Sequence, residues 1–152
     1  MTISLHSPIA GILVPLSEVP DPVFAREIIG PGVAIRPSVG HIHELCAPAS
    51  GTLIKVFPHA FVLRTLKGTD ILIHLGIDTI KLHGHGFTTL REEKDSVAAG
   101  EPLIRWDTSV AHEAGFDLSV PVIILHGPPH IVPAQNFHSN IEVGAPLFTV
   151  PE

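Results

Sequence analysis

The sequence predicts an all-β fold, a sandwich or barrel of short strands in one domain spanning 1–152, with one or two short helices. Fifteen prolines and thirteen glycines cut the 152 residues into short segments, many of them rich in Ile, Val and Leu, which is the composition of strands with at least one buried face. The chain also echoes itself. Ser7-Pro8-Ile9-Ala10-Gly11-Ile12-Leu13 resembles Ala47-Pro48-Ala49-Ser50-Gly51-Thr52-Leu53, and Val97-Ala98-Ala99-Gly100-Glu101-Pro102-Leu103-Ile104 resembles Ile141-Glu142-Val143-Gly144-Ala145-Pro146-Leu147-Phe148. Both offsets are about 40 residues, the size of one supersecondary unit, so a duplicated motif with an approximate two-fold axis is expected.

The echoed proline-turn-glycine units begin and reverse strands, because proline presets φ and glycine accepts positive φ. Between the echoes lies the stretch Phe57 to Ile80. Its apolar runs Ala60 to Leu63 and Ile71 to Leu75 flank Leu66-Lys67-Gly68-Thr69, the pattern of two antiparallel strands closed by a turn containing glycine. With the turn centred on Lys67-Gly68, Thr65 faces Asp70, Phe61 faces His74 and His59 faces Gly76. His59 and His74 are then diagonal neighbours on one face, with Cβ atoms roughly 7 Å apart. Ile71, Ile73 and Leu75 form the apolar set, while Leu72, His74 and Gly76 point the other way.

Further along, Asp107, Thr108 or Ser109 caps a helix that Gly115 ends, and a second helical turn is expected over Thr88 to Glu93. Gly127-Pro128-Pro129-His130 and Val132-Pro133-Ala134-Gln135-Asn136 read as a surface loop before the last strand. No linker or low-complexity block divides the chain.

Composition removes several function classes. The formal charge of −6 argues against nucleic acid and for a protein partner with basic groups around its site. A mean hydropathy of +0.38 marks a globular chain whose apolar runs are too short to cross a bilayer. The start lacks a basic region followed by a long apolar segment, so a cytoplasmic location is expected. The single cysteine, Cys46, cannot form an internal disulfide and reads as an inert, partly buried thiol.

The histidines carry the chemistry. Two neutral imidazoles on one face, with Asp78 close behind, can bind a metal, exchange protons, or divide a phosphoryl transfer between an attacking ring and a ring that holds the oxygens.

Val19-Pro20-Asp21-Pro22-Val23-Phe24-Ala25, Ala47-Pro48-Ala49-Ser50-Gly51-Thr52, His59-Ala60-Phe61 and above all Ile73-His74-Leu75-Gly76-Ile77-Asp78-Thr79 resemble, in this order, the glucose-type enzyme IIA of the bacterial sugar phosphotransferase system. The likeness runs over roughly residues 5 to 150. It implies a compact antiparallel β-sandwich of the duplicated hybrid motif type. It implies a relay in which His74 takes a phosphoryl group through Nε2 from the histidine phosphocarrier protein HPr and passes it to a cysteine of an enzyme IIB domain of a membrane sugar permease. By the same match His59 is the companion that hydrogen-bonds the phosphoryl oxygens, and Asp21 and Asp78 flank the site. Family members also hold His74 Nδ1–H on the carbonyl two residues on, here Gly76, and some regulate other proteins. A side chain at Gly76 is expected to crowd both rings.

Three features depart from the family's pattern. Pro58 stands between Phe57 and His59, where relatives carry polar residues, so His59 must be oriented differently. The first strand begins almost at once, without the amphipathic tail of some relatives, so no direct membrane contact or insertion is expected. His41-Ile42-His43 has no counterpart known to us in the family.

The eleven histidines also admit a zinc-dependent peptidase of the LytM-like type, since His41-Ile42-His43 and His83-Gly84-His85 have a spacing used by zinc ligands. A lipoyl-like or biotinyl-like carrier, modified at Lys67, is a third reading, against which Leu66-Lys67-Gly68 lacks the expected setting. For the relay no cofactor is required, although His59 and His74 could take up zinc adventitiously. A relay must bind two proteins at one site and release both, so its surface should have an apolar centre and a charged rim. Phe24, Ile28, Ile29, Phe57, Leu72 and Ile80 are the expected exposed centre, and Asp21 and Asp78 the charges that attract an arginine of HPr.

Overall fold

The computed structural model describes residues 1–152. Its strands are β1 (Thr2–His6), β2 (Gly11–Pro15), β3 (Gly32–Arg36), β4 (Ile42–Cys46), β5 (Gly51–Phe57), β6 (Ala60–Arg64), β7 (Asp70–His74), β8 (Phe87–Thr89), β9 (Ser96–Val97), β10 (Pro102–Asp107), β11 (Val120–Ile124), β12 (Asn140–Ile141) and β13 (Pro146–Pro151). Two short helices, α1 (Pro22–Ala25) and α2 (Thr108–Glu113), and 3-10 turns at Leu16–Glu18 and Thr79–Leu82 complete it. No helix is long and apolar enough to cross a membrane.

Eight strands form an antiparallel sheet in the order β12-β2-β3-β11-β7-β6-β5-β9, and the pair β1-β13 and the trio β4-β10-β8 form two smaller sheets. The main core lies between the layers, where Leu13, Leu53, Phe61 and Ile73 of the large sheet meet Leu5, Leu45, Trp106 and Leu147 of the small ones. The large sheet reads alike from either end, with the pseudo-two-fold axis between β11 and β7. The sequence echoes are these two halves. Gly11 and Gly51 begin β2 and β5, and a Cβ on either would lie 2.3 Å from a backbone oxygen, of Arg36 and Arg64 respectively. The two units also hold each other: His6 N–H donates to Pro48 O and Cys46 N–H to Pro8 O, both at 2.9 Å.

The symmetry breaks where β2 and β5 turn back. Pro58 and His59 alone join β5 to β6, whereas residues 16–31 join β2 to β3 and lie over the outer face of the large sheet. There Leu16, Val19 and Phe24 pack on Val14, Ala34, Ile77 and Ile123 as a second, smaller core. This longer connection contains α1, which the residue pattern leaves unassigned. Asp21 caps it by accepting the Val23 N–H at 2.8 Å, and Pro22 occupies its first position, where a missing N–H costs nothing.

α2 forms as its capping signals predict: Asp107 accepts the Ser109 N–H at 3.1 Å and Gly115 ends it at φ +86°. The helical turn expected over Thr88 to Glu93 does not form. Phe87–Thr89 is instead β8, paired to β10, because Thr88 and Thr89 are β-branched and Phe87 stacks on Trp106 at 5.6 Å. The residues that follow turn where Asp95 accepts the Glu92 N–H at 2.9 Å.

The β6–β7 register differs by one residue from expectation. Ala60, not Phe61, faces His74, and Arg64, not Thr65, faces Asp70. The reason is the loop, which runs over five residues: Thr65 N–H donates to Thr69 O at 2.9 Å and Gly68 N–H to Thr65 O at 3.0 Å.

Candidate functional site

His74 is the last residue of β7, a strand whose alternation sends Ile71 and Ile73 into the main core and leaves Leu72 and His74 partly buried on the outer face. Beyond it the chain turns sharply at Gly76, φ +80°, and its carbonyl oxygen lies 2.5 Å from His74 Nδ1. A carbonyl can only accept, so Nδ1 carries the proton and the Nε2 lone pair is left free. Burial pushes the His74 pKa below the ordinary histidine value, and the Gly76 carbonyl, Asp21 and Asp78 oppose that shift only in part. The ring is therefore neutral near pH 7 and nucleophilic at one defined nitrogen.

Gly76 is required, but not for the reason expected. A Cβ there would lie 2.6 Å from the Thr79 methyl and 3.1 Å from the Asp117 carbonyl oxygen, behind the histidines rather than between them.

In a strict strand of the observed register, His59 would point away from His74. It reaches the same face because it is not in a strand: Phe57 pairs with Ala60, and Pro58-His59 is the two-residue turn between them. The His59 carbonyl accepts the Leu75 N–H at 2.7 Å, which ties the turn to the end of β7. Its ring lies 5.1 Å from that of His74 at 71°, edge to face, with Phe57 on it at 5.9 Å. Burial first, and then the neighbouring His74, lowers the His59 pKa. Pro58 is thus compatible with the site, since packing and the backbone, not a side-chain hydrogen bond, aim the ring.

Asp21, Phe24 and Asp78 also reach His74. Asp21 and Asp78 act on it through charge; Asp21 is fixed by its capping bond, and Asp78 is exposed at φ +62°. Phe24 packs on the His74 ring at 5.4 Å. It is only 8% exposed, which corrects its expected place on the docking surface. Its ring closes the outer core and covers the histidine. Ile29 and Leu72 are likewise partly buried against that core. Ile28 at 65%, Phe57 at 47% and Ile80 at 62% do remain exposed, leaving three of the six expected apolar residues, with Asp78, available to a partner.

The other histidines do not converge. His41 and His43 meet edge to face at 6.1 Å, and His43 Nε2 lies 3.1 Å from the Ser38 carbonyl oxygen. No three His, Cys, Asp or Glu side chains gather to hold an ion, so the residues proposed for a peptidase's zinc do not form a ligand set. Cys46 is partly buried, and burial with Glu44 raises its thiol pKa, which keeps it unreactive.

The contacts behind the site escape a reading of the sequence, including that of Thr79, which ends the His74 motif. Ser119 O accepts the Gly76 N–H at 3.0 Å and Asp117 O the Ile77 N–H at 2.9 Å, and the buried Thr79 hydroxyl donates to Leu75 O at 2.6 Å. The Asp117-Leu118-Ser119 spacing is an Asx-turn signal, yet nothing in the sequence connects it to His74.

Residues 3–128 match the model of the family described as phosphoenolpyruvate-dependent sugar phosphotransferase system, EIIA 1. Among solved structures, the chain is similar to the glucose permease IIA from Mycoplasma capricolum. The two share 30% sequence identity and superpose with a TM-score of 0.87, over 99% of this chain and 97% of that one.

Proposed function

We propose a phosphohistidine relay through His74 for this chain, which belongs to the EIIA 1 family of the phosphoenolpyruvate-dependent sugar phosphotransferase system and with it is a phosphoryl carrier for sugar uptake. The observation that carries the proposal is the bond from His74 Nδ1–H to the Gly76 carbonyl, which leaves a neutral imidazole with its lone pair on Nε2. Phosphoryl transfer passes through a loose transition state with charge spread over the oxygens, so the site must align and stabilise more than it must activate.

In the first step Nε2 of His74 attacks the phosphorus of phosphohistidine on HPr. The new N–P bond forms as the donor's breaks, and the electron pair returns to the donor imidazole. The product is a phosphorylated imidazolium on His74, its Nδ1–H still on Gly76 O and its positive charge compensated by Asp21 and Asp78. His59, held edge-on to that ring, donates N–H to a phosphoryl oxygen. In the second step a thiolate of an enzyme IIB domain attacks phosphorus, and the N–P electrons return to His74. Ile28, Phe57 and Ile80 form the apolar part of the surface that both partners use, with Asp78 on its rim. Such a relay works in the cytoplasm, where phosphoenolpyruvate is available. The test is transfer of labelled phosphate from phosphoenolpyruvate through enzyme I and HPr onto this chain. An acid-labile phosphoryl group at His74 is expected, and no label, or label on another residue, would overturn the reading.

A further inference from the structure

We propose that Thr79 is a positioning residue for the His74 nucleophile, holding the peptide plane that precedes the Gly76 carbonyl and so fixing the direction of the oxygen that keeps the proton on Nδ1 and the lone pair on Nε2. Its effect on phosphoryl transfer rests on the carrier reading above, but its effect on the ring rests on the Gly76 loop alone.

His74 Nδ1 keeps its proton only while the Gly76 carbonyl points at it, and that direction depends on the φ and ψ of Gly76. Glycine is the least restrained residue at such a position, so neighbours must hold it. Two consecutive peptide units are held. In the Leu75–Gly76 unit, the oxygen accepts from Thr79 Oγ1–H at 2.6 Å and the N–H donates to Ser119 O at 3.0 Å. In the Gly76–Ile77 unit, the oxygen accepts from His74 and the N–H donates to Asp117 O at 2.9 Å. Asp117 Oδ1 in turn accepts the Ser119 N–H at 2.8 Å, an Asx turn that organises the segment carrying both acceptor carbonyls.

Among the groups bonded directly to these two units, other than His74, Thr79 alone uses a side chain. It is fully buried, where a hydrogen bond is costly to lose. Its methyl stands 2.6 Å from the point where a Cβ on residue 76 would be. Without the hydroxyl, the Leu75–Gly76 plane can tilt and the Gly76 carbonyl swings from Nδ1. The proton then divides between the two nitrogens, and a ring protonated at Nε2 cannot attack phosphorus through that nitrogen.

The test uses the full chain labelled with ¹⁵N, at a pH above the ordinary histidine pKa. The His74 ring nitrogens are read by NMR in wild type, Thr79→Val and Thr79→Ser, with melting curves and amide spectra to establish that each is folded. Wild type and Thr79→Ser are expected to show Nδ1 protonated and Nε2 bare. Thr79→Val is expected to show averaged shifts and phosphoryl acceptance about tenfold slower, in proportion to the competent fraction. Unchanged ring shifts in Thr79→Val overturn the proposal, as does a Thr79→Ser chain that shifts as far as the Val variant, because the methyl would then be the cause. If Val is not accommodated, Thr79→Ala is read in its place with the same two outcomes. A wild type that takes no phosphoryl group, with altered ring shifts in Thr79→Val, defeats the carrier reading and supports the positioning role. Normal wild-type transfer with unchanged shifts does the reverse.

Discussion

The rings of His59 and His74 meet at 5.1 Å with their planes at 71°, and they are held by different means. His74 is anchored through Nδ1 to the Gly76 carbonyl. His59 is aimed by a two-residue turn whose carbonyl takes the Leu75 N–H, and by the Phe57 ring. One ring has a defined lone pair; the other makes no side-chain hydrogen bond within the chain and keeps its ring nitrogens for an arriving phosphoryl oxygen. The roles should therefore separate on mutation.

His74→Gln is expected to accept no phosphoryl group. His59→Gln should still accept one from HPr but pass it on about 10²-fold more slowly, the scale for losing one donor to a transition-state oxygen. Single-turnover transfer in each direction measures both, and retained label on His74→Gln means that the nucleophile lies elsewhere.

The depressed histidine pKa values have a defined sign. The folded rings bind fewer protons than the unfolded chain as pH falls below the ordinary value of about 6.5, so stability decreases there and is independent of these groups above it. Acceptance by His74 should fall with pH about a midpoint below the ordinary histidine value, and His74→Gln should unfold with a weaker acid dependence. A rate profile with its midpoint above 6.5 contradicts the burial argument.

Phe24 and Ile80 flank the same histidine and should respond oppositely. Phe24→Ser opens the outer core and is expected to cost about 3 kcal/mol, roughly 10 °C in melting temperature. Ile80→Ser, at an exposed position, should leave the melting temperature nearly unchanged and weaken HPr binding about tenfold. Thermal scans paired with titration calorimetry separate the two, and a stable Phe24→Ser chain would return that residue to the docking surface.

We propose that transfer needs no metal, because the relay uses a neutral imidazole and an incoming phosphohistidine, with no step assigned to an ion. Transfer measured with enzyme I and HPr kept replete in magnesium, after this chain has been treated with a zinc chelator and desalted, should proceed at the untreated rate. Loss of activity that zinc alone restores would make His59 and His74 metal ligands.

The all-β class, the duplication and the pairing of β6 with β7 were legible in the residues, because proline, glycine and alternation act over a few positions and the echoes repeat them; that His59 meets His74 was expected from strand alternation, and it is the Pro58-His59 turn that brings the rings together. The β6–β7 register was not, since it turned on whether Thr65 ended the strand or joined the loop, a choice made by its bond to Thr69. Local pattern also misread Phe24. A short apolar segment without alternation looks the same whether it faces water or a second core, and only residues 16–31 folding over Val14, Ala34 and Ile123 decided between them. Tertiary structure alone brought Asp117 and Ser119 behind Gly76, because hydrogen bonds between peptide units some 40 residues apart in sequence leave no periodic trace in it.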